Sequence, residues 1–168
     1  MKALKNLFLN ELADMYDSER RITKALPKLI KAATCKRVQR ALQHHLVEAK
    51  GHMRQIEKVF AAFDEVPKRK KCPAIAGILE ESDKIVSENK KSPVLNAAII
   101  LAARKIEYHE IASYGTLRTW AGMLDNVRAA NLLQRILDEE KETGHVLNDL
   151  AVTKNREALE EVAAPNWA

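Results

Sequence analysis

The sequence predicts an all-α protein, and two properties carry that prediction. Only five glycines and five prolines occur in 168 residues, whereas helix-forming Ala, Leu, Lys and Glu are abundant. Apolar residues recur every three or four positions, as on the buried side of an amphipathic helix, and strand-like alternation is hard to find. We therefore expect a single domain over 1–168, a four-helix bundle of two helical hairpins joined by a long crossover, with an additional short helix.

The elements follow from this spacing and from the residues that interrupt it. Thr34 is placed to cap the second helix, and Pro67 marks a linker after it. Ser92 followed by Pro93 is a typical helix start, and Gly122 a typical helix end. Asp125 or Asn126 is placed to cap the fifth helix. The predicted helices span about 4–32, 35–63, 73–89, 93–121 and 126–153, followed by a tail at 154–168.

Bulk properties limit the class of protein. The net charge of +5 is mild for this length, and it permits an anionic partner without requiring one. Cys35 and Cys72 have no metal-binding spacing and fit a reducing compartment. Because no apolar run suits a signal peptide or a membrane span, we expect a cytoplasmic protein without membrane contact. Nucleic-acid binding is not expected, since the basic run 68–71 lies in a linker, where such runs are usually solvated.

Carboxylates interrupt the apolar faces of all four long helices. They are Glu19, Glu48, Glu107 with Glu110, and Glu140. The first two lie 29 residues apart, and Glu110 and Glu140 lie 30 apart, which places both pairs at matching depths in their hairpins. The chain therefore reads as a diverged internal duplication.

Carboxylates that converge inside a bundle repel one another unless protons or cations compensate them. Two divalent cations would bring four positive charges to at most five negative ones. A ligand set rich in oxygen and poor in nitrogen suits iron or manganese better than copper, and zinc would favour more histidine or cysteine. The expected cofactor is two iron ions per chain, with manganese as the alternative.

Three further side chains share the faces of these glutamates. His52 lies four residues after Glu48 and is a candidate nitrogen ligand, a hydrogen-bond partner of Glu48, or a residue at the edge of the core. His45, three residues before Glu48, also shares its face. Tyr114 lies four residues after Glu110 and could hydrogen-bond a ligand carboxylate, supply an electron, or simply pack at the edge of the core.

Several segments together resemble a known family. They are Asp17-Ser18-Glu19, His45-Leu46-Val47-Glu48, Lys71-Cys72-Pro73-Ala74, 106–117 and 137–143. Over residues 5–152 the chain resembles the YciE/YciF-type ferritin-like proteins, bacterial stress-response proteins of the ferritin and rubrerythrin superfamily. The resemblance implies a ferritin-like bundle with an extra helix, a dinuclear metal centre and a homodimer.

The resemblance also implies a ligand set. Carried over by position, it consists of Glu19, Glu48, Glu107, Glu110 and Glu140. Similarity to rubrerythrin makes Glu110 the mobile, catalytic ligand. The sequence departs from the ferritin pattern because Gly51 and Thr143 stand where the histidines of two Glu-x-x-His pairs are expected; His52 is the nearest replacement.

Three functions from different classes remain. The first is a di-iron or manganese oxidoreductase, or peroxide scavenger, which needs a separate electron donor because the chain has no four-cysteine iron site. The second is a metal-binding or protective stress protein without turnover. The third is an interaction module with a lost metal site, which touches nucleic acid through 68–71, Arg54 and Lys58.

Overall fold

The structure, a computed structural model, describes residues 1–68 and 70–163; at 157, 158 and 160–163 it describes the backbone. Within these ranges the chain forms five helices and no strand, which confirms the all-α prediction. The helices are α1 (Lys2–Ala32), α2 (Lys36–Ala61), α3 (Pro73–Glu88), α4 (Leu95–Met123) and α5 (Val127–Ala163).

Two hairpins build the bundle, as predicted. The first consists of α1 and α2, and the second of α4 and α5. The hairpins face each other, so that α1 packs against α4 and α2 against α5. The short helix α3 lies within the crossover and covers α1 and α4. None of the described helices has both the length and the apolar character that crossing a bilayer requires.

The start of α2 differs from the prediction. Thr34 does not cap this helix, which begins after Cys35 without a side-chain cap. Instead, the Thr34 hydroxyl accepts a hydrogen bond from Asn96 Nδ2 at 2.7 Å, and Asn96 Oδ1 accepts the backbone N–H groups of Thr34 and Cys35 at 3.1 Å. The loop is thus tied to the start of α4, a partner that local sequence rules cannot anticipate.

The fourth helix also begins later than predicted, at Leu95. The oxygens of Ser92 are engaged in a tight turn: its carbonyl accepts from Leu95 N at 3.1 Å and its hydroxyl from Val94 N at 3.3 Å. The helix continues past Gly122 to Met123, and the left-handed residue after it is Asp125, with φ of 56°. Aspartate tolerates this conformation better than most residues other than glycine.

The fifth helix begins as predicted but ends later. Asn126 Oδ1 accepts the N–H of Ala129 at 3.0 Å, which confirms Asn126 as its cap. The helix continues past 153 to Ala163 because 154–163 contains strong helix formers and neither glycine nor proline. Residues 164–168 of the predicted tail, and Arg69 of the basic run, lie outside the described residues.

The apolar core consists of two clusters. One contains Ile22, Leu26, Leu42, Ile99 and Leu147, and the other contains Phe8, Leu12, Phe60, Leu117 and Ile136. Between them lies a layer of buried polar side chains contributed by α1, α2, α4 and α5. A polar layer of this kind is costly unless each group is paired or neutralised, so it marks the place to look for function.

Candidate metal centre

Six titratable side chains form this layer, and each is at most 1% exposed. They are Glu19 on α1, His45 and His52 on α2, Glu107 and Glu110 on α4, and Glu140 on α5. Regular helix geometry explains the placement: the two histidines lie seven residues apart, and the two α4 glutamates three, so each pair shares one face. We refer to these six residues as the polar layer.

Three glutamates of the polar layer surround His45. Its Nδ1 lies 2.8 Å from Glu107 Oε1, and its Nε2 lies 3.3 Å from Glu110 Oε2 and 3.9 Å from Glu140 Oε2. The four residues each offer one ligand atom, and these atoms lie within 4.8 Å of one another. This group, which we call position A, could hold one metal ion.

A second group surrounds His52. Its Nδ1 lies 3.3 Å from Glu19 Oε1 and 2.9 Å from Glu140 Oε1. These three residues also bring their ligand atoms within 4.8 Å, and we call them position B. Glu140 therefore belongs to both positions and turns one oxygen towards each histidine. A carboxylate shared in this way is the usual bridge between two metal ions in a helical bundle.

The hydrogen bonding of the polar layer supports a metal rather than a network of direct bonds. Ten of its side-chain nitrogen and oxygen atoms are buried without a hydrogen-bond partner in the described part of the chain, among them both oxygens of Glu107, Glu110 and Glu140. Even His45 Nδ1 and Glu107 Oε1, 2.8 Å apart, lack hydrogen-bond geometry. Atoms that converge without bonding one another are suited to ligating a common ion.

In the absence of metal ions, burial and mutual proximity shift the pKa values of the polar layer. Burial and the nearby Glu140 and Glu19 raise the pKa of Glu110 well above 4.5. Burial raises the pKa of Glu140 to about 8, although His52 opposes this change. For His52 burial alone would lower the pKa, but the adjacent carboxylates of Glu140 and Glu19 outweigh it and raise the pKa to about 11. The layer thus retains protons that divalent cations could replace.

Two neighbours hold the ligands of position B in place. The buried Tyr114 hydroxyl donates a hydrogen bond to Glu19 Oε1 at 2.5 Å. On the outer side, His52 Nε2 is bonded to Glu139 Oε2 at 2.8 Å, and Glu139 is 43% exposed. The imidazole of His52 is thereby oriented with Nε2 towards Glu139 and Nδ1 towards the centre.

The structure brings together most of the predicted ligands, but not Glu48. Glu19, His52, Glu107, Glu110 and Glu140 all lie in the polar layer, with Tyr114 beside it. Glu48 lies outside both positions; its Oε2 accepts a hydrogen bond from Thr143 at 2.9 Å and lies 3.1 Å from His44 Nδ1. Its role as a ligand stays a prediction.

Two residues of the site were not assigned from the sequence. His45 lies on the same buried face of α2 as Leu42, Ala49 and Ile56. It also precedes His52 by seven residues, a spacing that places both histidines on one face and could have identified His45 from the sequence. Glu139 is half-exposed on α5, where nothing in the sequence separates it from other surface glutamates.

Tyr16 and the remaining histidines belong to neither position. Tyr16 donates a hydrogen bond to Glu57 at 2.8 Å. His44 and His145 are exposed. The Nε2 atom of His109 lies 3.2 Å from the Ser18 hydroxyl. Partial burial lowers the pKa of His109.

The fold and site define a class: helical-bundle proteins with a buried carboxylate–histidine layer that could hold metal ions. Residues 3–160 match the family described as "Domain of unknown function (DUF892)", and the chain belongs to that family.

Two relatives confirm the resemblance to YciF-type proteins in sequence and in structure. The chain is 38% identical to protein YciF of Escherichia coli strain K12 over 164 residues, 97% of this chain and 99% of that protein. Its fold matches the crystal structure of the E. coli stress protein YciF with a TM-score of 0.88 and 39% identity, over 93% of this chain and 99% of the other. YcfI from Rhodopseudomonas palustris matches with a TM-score of 0.82 and 38% identity, over 86% and 92%.

Proposed function

We propose that this protein binds two divalent cations, iron or manganese, at positions A and B. The observation that carries the proposal is Glu140, which directs one oxygen to each histidine while both oxygens lack a hydrogen-bond partner among the described residues. A lone buried carboxylate would need a proton or a counter-charge. One that faces two sets of ligand atoms is best explained as a bridge.

The charges of the polar layer support two ions. It holds four carboxylates, from Glu19, Glu107, Glu110 and Glu140, and two imidazoles. Two divalent cations would balance four deprotonated carboxylates and leave both imidazoles neutral. Four oxygen-bearing and two nitrogen-bearing side chains suit iron or manganese, whereas a zinc site usually takes more nitrogen or sulfur.

The finer proposal is redox chemistry on dioxygen or hydrogen peroxide. Bound ferrous ions would supply the electrons for such a reaction. Within the chain, Glu110 is fully buried and neither of its oxygens is hydrogen-bonded to a described residue, so no such bond holds it in one orientation. Tyr114 holds Glu19 through its hydroxyl, and its ring centroid lies 6.2 Å from that of His52, where a phenol could donate an electron.

The alternative is a metal-binding or protective stress protein without turnover. The E. coli relative is named a stress protein, which fits either function. Cys35 and Cys72 are the two cysteines of the sequence, so catalysis would depend on a separate electron donor. An interaction module with a lost site is less well supported, because two groups of ligand atoms converge in the core.

We further propose a cytoplasmic homodimer, as the resemblance implies. Large apolar side chains are exposed on the second hairpin and could be covered by a second copy. They are Leu101 and Tyr108 on α4, and Val146 and Val152 on α5. Sedimentation analysis of the purified protein would test the assembly.

Anaerobic reconstitution with Fe(II), followed by metal analysis and a peroxide pulse, tests the function. About two ions per chain are expected, with an absorbance change that depends on peroxide. Two ions with no peroxide consumption would favour the protective alternative. Uptake of fewer than one ion per chain would overturn the dinuclear proposal.

A further inference from the structure

Charge is distributed unevenly between the two halves of the chain. Residues 1–72 contain 17 Lys and Arg against 8 Asp and Glu, a net charge of +9. Residues 73–168 contain 11 against 15, a net charge of −4. The modest total of +5 therefore conceals a strongly basic first hairpin with its linker and an acidic remainder. Asymmetry of this size indicates an anionic partner for the basic half.

The basic residues of α2 form a line on its outer side. Five cations recur at multiples of about one helical turn, directly opposite the buried side chains Leu42 and Ile56. We call them the α2 crest: Lys36, Arg40, Lys50, Arg54 and Lys58, all exposed. At 1.5 Å per residue the crest extends about 33 Å, and neighbours four residues apart are separated by about 6 Å along the axis.

The charges of the crest are uncompensated. None of its five side chains forms an ion pair within 4 Å of a described side chain, whereas Lys28, Lys70 and Lys105 elsewhere are paired. The two acidic residues of α2 form no ion pair with the crest either. Glu48 is bonded to Thr143, and Glu57 accepts the hydroxyl of Tyr16. The crest therefore presents five unpaired cations to solvent in two groups, separated by about 15 Å along the helix, with Glu57 beside the second group.

We propose that the α2 crest binds the phosphate backbone of a nucleic-acid duplex, without reading its bases. Phosphates recur every few ångströms along such a backbone, which matches the spacing of neighbouring cations within each group of the crest, and the 33 Å of the crest equals about one turn of the double helix. The acidic half of the molecule would be repelled, so the first hairpin faces the duplex. This surface is distinct from the linker run 68–71.

A membrane surface fits the crest less well. Helices that lie on membranes insert a broad apolar face beside their basic residues. The apolar face of α2 is buried in the bundle, and Val47, 69% exposed, is the one large apolar side chain among the exposed residues of the described helix. The geometry and charge of the crest thus favour a rod-like polyanion over a bilayer.

Fluorescence anisotropy with a labelled DNA duplex of about two helical turns tests the proposal. If the five cations each neutralise one phosphate, the logarithm of the binding constant should fall against the logarithm of salt concentration with a slope of about −4.5. The triple variant Lys50→Glu/Arg54→Glu/Lys58→Glu should weaken binding more than about 100-fold at low salt and roughly halve the slope.

The matched control is Lys84→Glu/Lys90→Glu/Lys91→Glu. It changes the net charge by the same amount, but its exposed side chains lie on and after α3, so it should weaken binding less than about tenfold. Both variants should retain the helical circular dichroism and metal uptake of the wild type. Equal losses in the two variants, no duplex binding by the wild type, or binding to phosphatidylserine vesicles alone would overturn the proposal.

Discussion

Glu140 and Glu48 occupy different surroundings, although the sequence treats them as equivalent. Glu140 contributes to both groups of ligand atoms, whereas Glu48 lies outside them and is held by Thr143. We expect Glu140→Ala to reduce metal uptake from about two ions per chain to fewer than one. Glu48→Ala should retain most uptake.

Metal analysis after reconstitution measures both variants. Glu142→Ala is a suitable control, because Glu142 is exposed two residues further along the same helix. Full loss of metal from Glu48→Ala would show that this side chain moves into the centre when ions bind, and would restore the assignment made from the sequence.

Glu139 acts on the metal through His52. Its bond to Nε2 directs Nδ1 towards Glu19 and Glu140, and loss of such a support typically costs about 10–100-fold in metal affinity. Glu139→Ala should lower the affinity for one of the two ions by this factor, as measured by titration with Co(II). Glu139→Gln retains an acceptor oxygen and should recover part of the affinity. Equal affinities in the alanine variant and the wild type would argue against this role.

The raised pKa of Glu140 predicts opposite effects of pH on stability and on binding. Because its folded pKa of about 8 exceeds the ordinary value of 4.5, the stabilisation by its bound proton is complete below about pH 4.5 and is lost as the pH rises through 8. Binding of an ion expels that proton, so affinity should rise about tenfold per pH unit for each proton released. Melting curves between roughly pH 6 and 8, with and without Mn(II), measure both trends. A pH-independent affinity would contradict them.

At the scale of helices, Asp17 joins α1 to α3. The carboxylate accepts the backbone N–H of Cys72 at 3.1 Å and lies 2.6 Å from Arg20 and 2.5 Å from Arg21. Burial alone would raise its pKa, but these three donors outweigh burial and lower the pKa to about 2. The charged carboxylate thus fixes the start of the crossover helix.

Asp17→Asn should reduce the free energy of unfolding by about 1–2 kcal/mol at neutral pH. The contribution of Asp17 is present above its ordinary pKa of 3.8 and is lost as the pH falls through 2. Urea unfolding at several pH values should therefore show that the free energies of unfolding of the variant and the wild type converge at low pH. Asp83→Asn is the control, because Asp83 is 60% exposed and lies 3.5 Å from Lys28, and it should change little.

The sequence predicted the helices well because helix formation depends mainly on residues that are close together in the chain. Apolar spacing determined which segments are helical, and Asn126 was recognisable as a cap. Helix ends were less accurate where a distant partner intervened, as when Asn96 engaged Thr34. Glu48 shows the same limit in the site: it shares a face with His45 and His52, but only packing decides that the histidines point inward and Glu48 towards Thr143.

For the molecule as a whole, bound ions should raise the melting temperature. Each ion at about 1,000 times its dissociation constant stabilises the folded state by about 4 kcal/mol, which for a protein of this length corresponds to a shift of roughly 8–16 °C per ion. Chelation of the reconstituted protein with EDTA should lower the melting temperature by this amount. The Glu140→Ala variant should show no such shift. A shift of equal size in this variant would contradict the role of Glu140 as a ligand shared by both positions.

The division of the core into two apolar clusters has a consequence for motion in the metal-free protein. Each cluster packs one end of the bundle, while the middle is joined by side chains that largely do not bond one another. Transient local unfolding should therefore begin at the polar layer in the middle of the bundle and leave both apolar ends folded. Backbone amides around His45–His52 and Glu107–Tyr114 would then exchange with deuterium sooner than those near Leu12 or Ile99, and ions would slow this exchange by fastening the four helices together.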